Sequence, residues 1–131
     1  MSEPRVIPDL VLTEAHLVTL EAICDLFEAT NPEPGSSMRL QIDTTRKMVA
    51  RFWQGGTGEG TGYIQNHEIV KVEVLSRVAH ITVNDPIAEK WRRHQEHFGL
   101  HREEVNDLWE TISGIMAAFI KYGPDGDLGP N

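Results

Sequence analysis

Val105, Leu108, Trp109, Ile112, Ile115, Met116, Phe119 and Ile120 recur three and four residues apart, the longest amphipathic pattern in the chain. It predicts a core helix that ends at Gly123-Pro124. A shorter helix is expected before it, capped by Asp85, with Pro86 in its first turn and Gly99 as the corner between the two. Near the other end, Leu17, Leu20, Ile23, Cys24 and Phe27 repeat with the same period. Thr13 is an N-cap candidate for that first helix, and Asn31-Pro32 stops it.

The middle of the chain is harder to read. Met38, Leu40 and Ile42 alternate with Arg39, Gln41 and Asp43 as in a strand, yet Met38, Ile42, Val49 and Phe52 also fit a helix, which is favoured for at least 44–54. Between Ile69 and Val83 the alternation is stricter. Val70, Val72 and Val74 alternate with Lys71 and Glu73, and Ala79, Ile81 and Val83 alternate with His80 and Thr82. This predicts a β-hairpin turning at Ser76-Arg77 with one wholly apolar face. Tyr63 and Ile64 are candidates for a further strand. The expectation is a single α+β domain over residues 1–131: two N-terminal helices, a β-hairpin or small antiparallel sheet, and two C-terminal helices packed on the sheet. Residues 1–12, with Pro4 and Pro8, read as an extended arm, 55–62 as a glycine-rich connector and 123–131 as a tail.

Composition narrows the class. The chain has 131 residues, 40% of them hydrophobic, enough for a core without cross-links. Cys24 is the single cysteine, so no internal disulfide forms, and it lies on the apolar stripe of the first helix, where an inert thiol is expected. No apolar run approaches the roughly 20 residues of a membrane span. Met1-Ser2-Glu3-Pro4 lacks the basic and apolar stretches of a signal peptide, so a cytoplasmic location is expected.

The formal charge of −8 disfavours free nucleic acid as a partner. The charge is uneven. Residues 1–35 carry seven acids against Arg5, a net of −6, whereas 36–54 carry Arg39, Arg46, Lys47 and Arg51 against Asp43, a net of +3. Opposite signs on successive helices are suited to attract one another, but solvated faces are the favoured reading.

Few residues suggest chemistry. His94, His97 and His101 have ligand-like spacing, but Gly99 interrupts it and Arg92 and Arg93 repel a cation. Glu103, Asp107 and Glu110 form an acidic helical stripe. It is similar in kind to the acid clusters of all-α nucleotide pyrophosphohydrolases, but their paired Glu-Glu-x-x-Glu and Glu-x-x-Asp motifs are not reproduced. Trp53-Gln54-Gly55 matches the W-x-G of small secreted helical-hairpin proteins over three residues only. The run from Gly55 to Gly62 lacks the strand-before, helix-after context of a phosphate loop and has no Gly-Lys-Ser/Thr. Gly114 with Ala117 and Ala118 invites close approach of another helix.

The expected function is therefore binding without catalysis or cofactor: a small acidic adaptor, assembly component or stoichiometric inhibitor, with homo-oligomerisation as an option. Its partner would be a protein with a basic surface, met by Glu14, Glu21, Asp25 and Glu28. The alternative is a small metal-dependent hydrolase using His94, His97, Glu103 and Asp107.

Overall fold

A computed structural model describes residues 6–55, 59–85 and 89–122. The start of the arm, the centre of the glycine run, Pro86 and the 123–131 tail lie outside the described residues. The order is β1 (Val6–Thr13), α1 (Glu14–Glu28), α2 (Ser37–Gly55), β2 (Glu59–Gln65), α3 (Asn66–Asn84), α4 (Glu89–His97) and α5 (Arg102–Tyr122). The architecture is α+β, mostly helical with one two-stranded antiparallel sheet.

Thr13 ends β1 and caps α1. Its hydroxyl accepts the His16 N–H at 3.1 Å, and His16 Nδ1 accepts the Thr13 N–H at 3.4 Å, a capping box with histidine in the usual Glu/Gln position. Asn31, at φ 58°, turns the chain out of this helix ahead of Pro32. Ser36 Oγ then accepts the Arg39 N–H at 3.2 Å and opens α2. The helix expected over at least 44–54 therefore extends back to Ser37. The Met38/Leu40/Ile42 alternation is incidental, because Ile42 is buried while Leu40 faces solvent.

The sheet forms from the arm and the second half of the glycine run. Leu10 lies opposite Gly62, Val11 opposite Thr61 and Leu12 opposite Gly60. Residues 59–62, expected in a connector, are thus strand, and Tyr63 and Ile64 continue it. At Gly62 the strand passes over the Phe52 ring of α2, which a Cβ there would meet at 3.4 Å, an ordinary van der Waals contact. Pro8, which has no N–H, falls in the irregular stretch between Ile7 and Leu10.

The hairpin expected over Ile69–Val83 is not formed; these residues belong to α3. Ile69, Val72, Leu75, Ser76, Ala79 and Val83 are its buried set, a helical period, and Ser76 lies mid-helix instead of at a turn. The misleading alternation arises because Val70 and Ile81 on the outer face are apolar as well. The chain enters α3 directly from β2. Glu68 Oε1 accepts the Gln65 N–H at 2.9 Å and is bound by Arg51 of α2, whose guanidinium also donates to the Tyr63 carbonyl at 3.2 Å. Beyond α3, Asp85 is that helix's C-cap, and α4 starts at Glu89.

Gly99, at φ +71°, forms the corner after α4. Its N–H donates to the Glu96 carbonyl, and the Leu100 N–H donates to the Gln95 carbonyl at 2.7 Å, a Schellman motif that tucks Leu100 inside. α5 lies along α3, with Trp109 stacked on His80 at 5.5 Å and Asn84 donating to Asn106 at 2.8 Å. The C-terminal helix thus closes over residues 69–83 as its stripe requires, but the surface it meets is a helix. Val105, Leu108 and Ile112 are buried, whereas Trp109 is half-buried at the seam. One connected cluster, from Leu12 through Phe52 and Leu75 to Ile112, forms the core.

Two stability outcomes follow from this packing. Arg51 is the counter-charge of Glu68, whose side chain is 8% exposed. Removing one partner strands a buried charge, which costs about 3–5 kcal/mol. Arg51 is itself 25% exposed, so Arg51→Leu is expected near the lower end, about 3 kcal/mol. Arg46→Leu, which breaks only surface pairs, should cost no more than about 1 kcal/mol. Urea unfolding of both variants measures the contrast. A Cβ on Gly114 would meet nothing within 4 Å, so the close helix contact expected there is not made by the described residues. Gly114→Ala should then raise the urea-unfolding free energy by about 1 kcal/mol, the helix-propensity difference.

Candidate functional site

α1 and α2 run side by side, and an open groove of about 400 Å³ lies along their seam. α1 contributes Glu21 and Cys24, one turn apart. α2 contributes Arg46, Val49, Ala50 and Trp53, a helical i, i+3, i+4, i+7 set. Cys24, Val49 and Ala50 make an apolar floor. At one end the Trp53 indole N–H donates to Glu21 Oε1 at 2.7 Å, which holds both side chains at the mouth. At the other end Arg46 donates to Asp25 Oδ1 at 2.8 Å and to Glu28 Oε1 at 3.1 Å. Burial opposes the charge on Arg46, but its hydrogen bond to Asp25 and the nearby Glu28 outweigh it and raise its pKa.

The acids expected to bind a partner therefore divide. Glu28 also accepts from Arg39 at 3.5 Å, so Asp25 and Glu28 are largely spent on pairing α1 with α2. Glu21 faces the groove. Glu14, exposed in the first turn of α1, has no ion pair among the described residues. These charges are therefore not simply solvated faces: Arg39 and Arg46 of α2 pair with Asp25 and Glu28 of α1.

The residues of the hydrolase alternative are dispersed. His94 and His97 are exposed on α4, with His97 edge-on to Phe98 at 4.8 Å. Glu103 faces solvent on α5. Asp107 accepts from His16 Nε2 at 2.7 Å; since His16 Nδ1 takes the Thr13 N–H, the ring proton resides on Nε2. Among the described residues no group of three or more His, Cys, Asp or Glu side chains could hold a metal ion. No described helix is long and apolar enough to cross a membrane.

Sequence reasoning passed over Trp53, Arg46 and His16 as site or clasp residues. Nothing local marks them, since each acts through a partner 21 or more positions away. A Trp at a helical position facing the neighbouring helix's acids is the one signal that was available.

The chain matches no protein-family model, and no curated protein or solved structure resembles it significantly.

Cys24 touches the groove floor but is fully buried, and burial pushes its thiol pKa up to about 12. The thiolate is the nucleophile, so it is essentially absent at neutral pH. Iodoacetamide at pH 8 should leave Cys24 unmodified in the folded protein and label it fully in denaturant, as intact-mass measurement would record.

Proposed function

We propose that this chain is a small acidic binding protein of the cytoplasm that acts stoichiometrically, without catalysis, on a protein partner with a basic surface. Adaptor, assembly component and inhibitor are all roles of this kind. The observation that carries the reading is the groove between α1 and α2. It offers an apolar floor, the Trp53 ring, and the Glu21 carboxylate fixed at its mouth. A lysine or arginine side chain fits that chemistry. Its stem would lie along Ala50 and the Trp53 ring, and its charged head would reach Glu21 and the indole. Glu14 extends the negative field along the same helix, and the net charge of −8 acts in the same sense at long range. Arg46, the only cation among the described residues lining the groove, is already neutralised by Asp25 and Glu28. A second copy of the chain is a further partner of a different kind, through a different face.

Cross-linking pull-down with mass spectrometry supplies the partner, and stopped-flow association then tests the site. Glu14→Lys combined with Glu21→Lys should slow association several-fold at low salt. The difference should shrink near physiological ionic strength, where the Debye length is about 8 Å. Trp53→Ala should instead speed dissociation. Glu28 is unsuitable as a probe because reversing it breaks the pairs with Arg39 and Arg46. If the doubly reversed protein associates as fast as the parent at low salt, another surface carries recognition.

A further inference from the structure

The outer face of α3 is apolar where a surface helix is ordinarily polar. Val70 is 45% exposed and Ile81 59% exposed, and half-buried Val74 lies between them on the same stripe. The stripe Val70, Val74, Ile81 is spaced by four and seven residues, as on a helix that packs on another helix, with Arg77 at its border. It spans roughly 17 Å at 1.5 Å per residue. The core-facing set of α3 lies on the opposite side and is already buried.

Two charges on this helix say what covers the stripe. Glu73 and Arg77 stand one turn apart in the orientation that favours an intrahelical pair. No such pair forms among the described residues, although Arg39 and Asp43 at the same spacing approach to 3.7 Å. Both residues flank the same side of the apolar stripe. A two-fold axis across the stripe near Leu75 places each Glu73 beside the Arg77 of an antiparallel second copy, and brings Val70 close to that copy's Ile81. The face is thus complementary to itself in charge and in its apolar positions, the signature of an isologous contact. The open edge of β1 is a poorer candidate, since Pro8 and the irregular pairing beside it interrupt any strand addition.

We infer that a second copy of this chain docks antiparallel on the outer face of α3, with Val70, Val74 and Ile81 at the seam and Glu73–Arg77 pairs across it. The contact is independent of the acidic groove, so either can fail alone. Three helical turns bury less than the roughly 800 Å² per partner of a standard interface, so the dimer is concentration-dependent.

Sedimentation velocity of the full chain over a wide concentration range tests it. The parent should shift from monomer to dimer as concentration rises. Ile81→Asp, and separately Val70→Asp, should weaken dimerisation by about tenfold or more, with helix content by circular dichroism unchanged because both positions are exposed. Glu73→Arg and Arg77→Glu should each weaken the dimer, and the two together should restore it. A parent that is monomeric throughout, a dimer indifferent to the substitutions at Val70 and Ile81, or a double reversal that fails to restore association would overturn the proposal.

Discussion

A single buried carboxylate organises the middle of this chain. Glu68 is 6% exposed, and an ionised group so placed is tolerated only with a counter-charge and hydrogen bonds. Arg51 supplies the charge from α2, and the Gln65 N–H supplies a bond from the end of β2. Glu68 also stands in the first turn of α3, where the helix dipole favours an anion. The strand therefore turns into the helix without an intervening loop. Arg51 covers the Tyr63 ring at 4.4 Å and donates to the Tyr63 carbonyl, so α2, β2 and the start of α3 are held at one point. The later contacts of α3 with α5, and of α5 with α1 through Asp107 and His16, presuppose the direction set there.

That constraint explains which elements could be read from sequence. α1 and α5 each carry one apolar stripe, one polar face and legible stops, so period and punctuation agree. In α3 they conflict. Its β-branched residues occupy both the inner and outer faces, and a two-sided apolar helix produces the same alternation as a half-buried strand. What decides in favour of helix is Gln65 and Glu68, a capping pair outside the hydrophobic pattern. In β2, Tyr63 and Ile64 are legible as strand, but the glycine half before them is not, for the opposite reason. Its glycines carry no pattern, and they form a strand because Phe52 packs on their backbone and β1 pairs with them. The acids of α1 were visible in the sequence. Their division into spent and available charges was not, because it depends on which side chains of α2 reach them.

The same pairing bears on the choice between binding and catalysis. A reactive cleft places poised groups where their protonation states serve a reaction. In the groove between α1 and α2 each polar group already has an assignment: the thiol is held protonated, Glu21 accepts from Trp53, and Arg46 is clasped by two acids. These bonds make the walls stiff, and stiffness lowers the entropy lost when a side chain is received. Glu21 has a second carboxylate oxygen to offer a cation without releasing the indole, so the seam can recognise charge while keeping its shape. A rigid, acidic, apolar-floored seam is better fitted to hold a lysine or arginine than to transform a substrate, and that physical economy is why recognition is the reading proposed for this fold.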